Sequence, residues 1–390
     1  MKVCVVGAGF QGTACLWDFA RQQNITHLGV ADKSAEAVAA LRSLAWTRDI
    51  KAAIIDISNP AACTAFLKDY DVAVSAVPYF YNEGLTRAAI EGGSHLVDMG
   101  GNTDVVMAQH ALDAEARSAG VSILPDGGLA PGLVGVLAGF LIREERAAEV
   151  WMRVGGLPQE PFPPLGYRIT FSPYGLLNEY SGDSIMLRNG RITRRPALEE
   201  EESITFDGLE ELEAALTSGA TSTLPFTFEG RIQDLTYKTI RYKGHFAQLR
   251  LLRDLGLLDD RSLSIAPPAG GEPSEIPLRD VMARLLTEKI GGTPVPDRIL
   301  LRVGSRRGGI KGEPARTRVF ELHDLYDAAS GLTSMQRCTA FPVTVEALML
   351  GSGVIPGPGV LKQEIDVDAV RMLAELRKRG LDLKERVLER

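Results

Sequence analysis

Short runs of apolar, β-branched residues recur through the first 125 positions, and stretches with helical spacing of apolar residues separate them. Lys2–Val6, Leu28–Asp32, Ala52–Asp56, Asp71–Val77, Ser94–Asp98 and Val121–Leu124 have the length and composition of strands covered on both faces. Helices are predicted after Gly12, from Pro60, over Asn82–Glu91 and over Val105–Ala119. This alternation predicts a doubly wound parallel sheet over residues 1–128.

The pattern then changes. Leu137–Glu145 reads as a helix, and Val150–Val154, Tyr167–Phe171 and Ile185–Arg188 read as antiparallel strands. Asn189-Gly190 between Arg188 and Arg191 signals a hairpin turn. Ser203–Phe206, Arg298–Ser305 and Arg316–Leu322 add strands, and His245–Leu252 has the spacing of a helix. Residues 129–334 therefore predict an inserted α+β domain with a mixed or antiparallel sheet. Met335–Met349 and the amphipathic stretch Asp366–Arg379 are predicted helices. The apolar face Val367, Val370, Met372, Leu373, Leu376 needs cover. Packing of residues 335–390 on the first domain would supply it and make that domain discontinuous.

One local motif gives the first domain a ligand. Gly7-Ala-Gly9-Phe10-Gln11-Gly12 sits between the first strand and its helix, and Asp32 ends the second strand twenty residues beyond Gly12. Gly7 permits the sharp turn, Gly9 lets the backbone approach a pyrophosphate, and Gly12 allows close helix–strand packing. The helix N-terminus then offers free N–H groups to phosphate oxygens. Asp32 is placed to bond ribose hydroxyls and to repel a 2′-phosphate, which favours NAD over NADP; Lys33 works against that preference. The whole is a Rossmann-type dinucleotide-binding arrangement, in which ligands lie at the carboxyl ends of the strands. The further cofactor candidates are accordingly Asp56, the strand-four end Ala76-Val77-Pro78, and Asp98-Met99.

Composition narrows the partners. A net charge of -7 and the lack of a basic stripe with interleaved aromatics argue against nucleic acid. No apolar run is long enough to span a bilayer. The chain enters its first strand with no basic segment and cleavage site, and Cys4, Cys15, Cys63 and Cys338 are scattered without a CxxC pair. These features predict a cytoplasmic protein with reduced thiols and no metal site.

Two segments carry candidate chemistry. Pro125-Asp126-Gly-Gly-Leu-Ala130-Pro131-Gly132 follows the sixth strand, where it is either a cleft segment leading into a helix or an interdomain hinge. Tyr237-Lys238-Thr-Ile-Arg241-Tyr-Lys-Gly244-His245 gathers cations, tyrosines and a histidine. The planar fork of Arg241 suits two-point binding of a carboxylate, and His245 is suited to proton transfer near neutral pH. Taken alone, either residue is equally a structural one.

The glycine motif, Ser75-Ala-Val-Pro78, Val97-Asp-Met-Gly100, Pro125–Gly132, Val154-Gly-Gly-Leu-Pro158, Tyr167–Pro173, Asn178-Glu-Tyr180, Arg188-Asn-Gly190 and Arg241-Tyr-Lys-Gly-His245 together resemble the saccharopine dehydrogenase-like family, within it the lysine 6-dehydrogenase branch. The resemblance spans nearly the whole chain. It implies NAD-dependent oxidation of an amine on an amino acid, in that branch the 6-amino group of lysine, giving a semialdehyde that closes to a cyclic imine. It also implies a homodimer through the inserted domain. On this reading Arg241 binds the substrate carboxylate and His245 moves a proton. Asp98 and Asp126 orient the amine or water, while Tyr180 lines the pocket and Lys238 is a further substrate-binding candidate. The alternatives are a saccharopine-type or carboxyspermidine-type dehydrogenase of a secondary amine, for which Arg168 and Arg188 are extra anion anchors, and a nucleotide-binding sensor without turnover.

Overall fold

The structure, a computed structural model, describes residues 1–47, 49–169, 171–266, 272–308 and 314–389. Six parallel strands form the first sheet: β1 (Lys2–Val6), β2 (His27–Asp32), β3 (Lys51–Ile54), β4 (Val72–Ser75), β5 (His95–Asp98) and β6 (Ser122–Leu124). Their order is β3-β2-β1-β4-β5-β6, and Gly359–Val360 pairs with β6 as a seventh parallel strand. The strand order reverses between β1 and β4, where the crevice of a doubly wound sheet opens. All of β4 and most of β1 are buried, as two-sided cover demands.

The helix Phe10–Phe19 leaves β1 through the glycine turn and buries Ala14, Cys15, Leu16 and Phe19. Gly7 holds φ +107°, and a Cβ there would lie 2.7 Å from the Ala76 carbonyl oxygen. A Cβ on Gly12 would meet the Gly7 carbonyl oxygen at 1.8 Å. Both positions therefore exclude any side chain.

The helix expected over Val105–Ala119 is two helices, Thr103–His110 and Asp113–Ala119. The break turns Asp113 toward the seventh strand, where its carboxylate accepts the Val360 N–H at 2.8 Å. That strand had no sequence signal of its own, because two residues are too few to show a period.

The inserted domain holds a nine-stranded mixed sheet. Its path runs Glu202–Ile204, Leu212–Ala215, Asp234–Tyr242, Glu149–Pro158, Asp297–Arg307, Arg316–Leu325 and Lys384–Glu389. The hairpin Asp183–Arg188/Arg191–Pro196 attaches to Asp234–Tyr242, with Asn189-Gly190 at its turn. Asp234–Tyr242 and Glu149–Pro158 pair in parallel, so Val150–Val154 is not purely antiparallel as expected. Tyr167–Phe171 is not a strand among its described residues. It crosses between elements, Tyr167 is fully buried, and the Ile169 N–H bonds the Ile290 carbonyl instead of a ladder neighbour. Two stretches of the sequence depart from the family pattern, the Pro- and Gly-rich 266–277 and the polar 310–316; of these, residues 267–271 and 310–313 lie outside the described residues.

The last fifty-odd residues serve both domains. Ser334–Gly351 is a helix opened by a Thr333–Gln336 capping box, and it lies along Phe10–Phe19 with Trp17 and Phe341 stacked at 5.9 Å. In the helix Ala369–Lys378, Met372 and Leu376 face inward four residues apart and are fully buried, while Val370 points to solvent. The final strand, Lys384–Glu389, then leaves these helices and pairs antiparallel with Arg316–Leu325. The expected assignment of residues 335–390 to the first domain is corrected on that point. Among the described residues no helix is long and apolar enough to cross a membrane.

Leu376 gives this return a direct test. Leu376→Ala should lower unfolding free energy by about 2–5 kcal/mol in denaturant titration; a loss under about 0.5 kcal/mol would mean the helix is dispensable to the fold.

Candidate active site

A cleft of about 1020 Å³ opens between the two domains at the carboxyl ends of the parallel strands. The nucleotide side supplies Phe10, Gln11, Ala76, Val77, Pro78, Met99, Gly100 and Gly101. The inserted domain supplies Val154, Gly156, Tyr167, Arg168, Glu179, Tyr237, Thr239 and Arg241. Leu129, Ala130 and Pro131 form the floor between them, although the helix itself begins only at Val134.

The glycine turn fits a dinucleotide. A Cβ on Gly9 would meet nothing within 4 Å, so open space lies where a pyrophosphate approaches. No side chain caps the helix Phe10–Phe19, which leaves its first N–H groups for phosphate oxygens. Gln11 Oε1 is buried without a hydrogen-bond partner at this turn. Asp32 lies against the loop, its two carboxylate oxygens accepting the Ala8 N–H at 2.7 Å and the Ser34 N–H at 2.8 Å. Each oxygen keeps a lone pair for a ribose hydroxyl. Asp56, by contrast, is exposed, and its Oδ1 is taken by the Ser58 N–H and hydroxyl.

The strand Asp234–Tyr242 sorts the second set of candidates by its two-residue period. Tyr237, Thr239 and Arg241 face the cleft. Lys238 falls on the opposite face, where its ammonium bonds Glu202 at 2.7 Å and the Glu200 carbonyl. Lys238 is therefore a buried ion-pair residue, not a substrate contact.

Arg241 is 2 % exposed and is held on three sides. Nε donates to Tyr180 Oη at 2.8 Å, Nη1 to the Ile240 carbonyl at 2.9 Å, and Nη2 to Glu179 at 3.2 Å. Its guanidinium also lies over the Tyr167 ring, 4.6 Å from the centroid. Behind it, Tyr180 Oη is 2.8 Å from His245 Nε2, and His245 Nδ1 is 2.9 Å from the Leu165 carbonyl. A carbonyl only accepts, so Nδ1 carries the proton and Nε2 accepts from the tyrosine hydroxyl. The chain runs one way, from Arg241 through Tyr180 and His245 to the backbone.

This geometry corrects two assignments. His245 is fully buried behind Tyr180, and burial, then the Arg241 charge, pushes its pKa down to about 3. It remains neutral and has both nitrogens committed, so it orients Tyr180 instead of exchanging a substrate proton. Tyr180 is likewise behind the cleft wall, and burial pushes its hydroxyl well above its ordinary range. It positions Arg241 and does not line the pocket.

Asp98 and Asp126 are brought together below the cleft, out of its lining. Asp98 Oδ1 accepts the N–H groups of Gly100 and Asp126, and Oδ2 accepts Gln109 Nε2 at 2.7 Å. Asp126 Oδ1 accepts the Gly101 N–H at 3.3 Å. Both carboxyls thus bond the Gly100–Gly101 loop, and Asp126 Oδ2 is buried without a hydrogen-bond partner among the described residues. Glu346, fully buried on the helix Ser334–Gly351, lies next to them and bonds Gln363 at 3.2 Å.

Sequence reasoning missed Glu179. It lies in the last turn of the helix Pro173–Tyr180, and its neighbour Asn178 donates to the Gly101 carbonyl at 2.8 Å across the cleft. Its side chain is 26 % exposed, and burial raises its pKa against the opposing pull of Arg241. Asp297 also lines the cleft, but its carboxylate caps the helix Ser334–Gly351 through the Ser334 and Met335 N–H groups. Arg168 lines the cleft too; Arg188 does not, and bonds Glu200 at 2.6 Å. Among the described residues no group of three or more ligating side chains could hold a metal ion.

Two family descriptions match this architecture in succession. Residues 3–124 match the saccharopine dehydrogenase NADP binding domain, and residues 128–381 match the saccharopine dehydrogenase C-terminal domain. The chain belongs to the saccharopine dehydrogenase family. It is similar to the saccharopine dehydrogenase (NADP(+), L-glutamate-forming) of Pyricularia oryzae, 24% identical over 252 residues that cover 59% of this chain and 54% of that protein. The Saccharomyces cerevisiae counterpart is 26% identical over 198 residues, covering 49% and 43%. The chain thus spans about half the length of the curated relatives it matches. The solved apo saccharopine dehydrogenase (L-Glu forming) of Saccharomyces cerevisiae superposes with a TM-score of 0.79 at 20% identity, over 99% of both chains, and so shares the fold.

The buried carboxyls predict how stability follows pH. Burial raises Asp126 to about 8, with the Asp98 charge adding to it, and burial raises Glu346 to about 8. Their ordinary values are 3.8 and 4.5. Between those limits the folded state holds protons that the unfolded chain has released, so stability falls as pH rises across the window. The melting temperature should drop between pH 5 and pH 8.5, and Glu346→Gln should flatten that slope in calorimetry. An unchanged slope in the variant would contradict a protonated Glu346.

Proposed function

We propose that this protein oxidises an amine on an amino acid with a nicotinamide nucleotide, and that the amine is the 6-amino group of L-lysine. The observation that carries the reading is the buried cation Arg241 on the cleft wall that faces the glycine turn and the Ala76–Pro78 strand end. A guanidinium fixed on three sides suits a carboxylate at one end of a substrate whose other end reaches the nucleotide. The nucleotide supplies the hydride acceptor, held by the Gly7–Gly12 turn and Asp32. The cleft walls Tyr167, Tyr237 and Met99 suit the methylene chain between the two ends. Arg241→Ala should raise KM for lysine by at least tenfold, while nucleotide affinity stays near wild type by calorimetry. An unchanged KM would remove Arg241 from substrate binding.

NAD is the proposed cofactor, although the relatives are named for NADP(+). Asp32 supports it, since a carboxylate bonded to the loop through Ala8 would face the phosphate of NADP. NAD should bind at least tenfold tighter than NADP, about 1.4 kcal/mol, and Asp32→Ala should narrow the gap. Equal binding of both nucleotides in titration calorimetry would refute this.

A second reading rests on Arg168. It lines the same cleft, and its Nε is buried with no hydrogen-bond partner among the described residues. A secondary amine with an additional carboxylate, such as saccharopine, would use that donor. Arg168→Ala should then lower kcat/KM for saccharopine at least tenfold and leave lysine within threefold. Turnover of lysine alone by the wild-type protein would dismiss this second reading.

A further inference from the structure

The lysine reading asks only for a carboxylate anchor, yet the cleft offers a matched pair of charges. Glu179 and Arg241 come from different elements, the end of the helix Pro173–Tyr180 and the strand Asp234–Tyr242, and meet at 3.2 Å on the cleft surface. Three other carboxyls near the cleft are not free for an ammonium. Asp297 caps a helix, while Asp98 and Asp126 lie outside the lining. Glu179 Oε2 accepts from Arg241, and its side chain is still partly open to the cleft. Arg241 uses three of its five N–H groups in the contacts described above, so donors remain for an incoming carboxylate. An α-amino acid carries its carboxylate and its α-nitrogen on one carbon. A cation and an anion in contact on one wall match that spacing with opposite signs.

We propose that Glu179 and Arg241 together form a clamp for the head of an α-amino acid, in which Arg241 takes the carboxylate and Glu179 takes the α-ammonium. This rests on the amino-acid reading of the cleft and adds a specificity residue to it. The backbone around Glu179 is fixed for the task. Asn178 ties it to Gly101, and the Ser218 N–H bonds the Glu179 carbonyl at 2.9 Å. The charged and titratable groups around the Glu179 carboxylate are Arg241, Tyr180 and Tyr237, with Tyr167 beyond Arg241. Burial raises the Tyr180 and Tyr237 hydroxyls above their ordinary range, so both are neutral at physiological pH beside the Glu179 carboxylate.

Binding of unreactive ligands tests the clamp without any turnover. Norleucine has the α-amino-acid head and no 6-amine, whereas hexanoate has the carboxylate alone. Calorimetry on the nucleotide-loaded protein should show norleucine binding at least tenfold tighter than hexanoate. In Glu179→Gln that ratio should fall to within threefold, with hexanoate and nucleotide affinity near wild type. The same variant should erase the preference in kcat/KM for lysine over 6-aminohexanoate. Equal binding of norleucine and hexanoate by the wild type, or a ratio that survives Glu179→Gln, overturns the clamp. Tight norleucine binding without reduced nucleotide from lysine or saccharopine leaves the clamp standing and overturns the proposed reaction.

Discussion

The ion pair between Asp18 and Arg379 joins the two ends of the chain, and most of the architecture hangs on it. Asp18 is 1 % exposed on the helix that carries the glycine turn, and Arg379 Nε meets its two oxygens at 2.9 and 3.0 Å. Thr344 adds a hydroxyl to the same carboxylate at 2.6 Å. Removing one partner would strand a buried charge, at a cost of about 3–5 kcal/mol. Through Thr344 the same carboxylate ties the helix Ser334–Gly351 to Phe10–Phe19, and Gln336 of that helix donates to the Phe10 carbonyl at 2.8 Å. Asp297 grips the start of the same helix from the inserted sheet. The nucleotide turn and the substrate wall are thus both referenced to one helix from the far end of the sequence.

Local sequence was enough for the nucleotide domain because each of its elements declares itself. Apolar strands, glycines that tolerate no Cβ, and an acid at the end of β2 are all short-range signals. The inserted domain is less legible, since its sheet is assembled from distant strands and its polar positions are buried. The strand Asp234–Tyr242 shows the difficulty. It has few apolar residues, yet it lies in the middle of the sheet, because Lys238 is neutralised by Glu202 and Arg241 by Glu179. Read as a strand, its alternation would have separated Arg241 from Lys238 at once.

The same blindness to long-range pairing explains the other site errors. His245 has the residue type and company of a proton carrier, but Tyr180, sixty-five positions earlier, stands between it and the cleft. Glu179 carries no chemical signal of its own in the sequence, and only the strand sixty-two positions later gives it a partner. The C-terminal strand was hidden for a related reason: Lys384–Glu389 sits at the sheet edge, where charged residues are expected and apolar alternation is weak.

The one-way chain from Arg241 through Tyr180 and His245 to the Leu165 carbonyl has a consequence for handedness. Each donor in it has a single acceptor, so the guanidinium plane cannot swing without breaking a bond in series. Under the proposed clamp, a cation fixed in direction and an anion fixed beside it would hold two of the four groups on an α-carbon. With those two groups held, the side chain and the hydrogen would take non-equivalent directions, and the clamp would then favour one enantiomer.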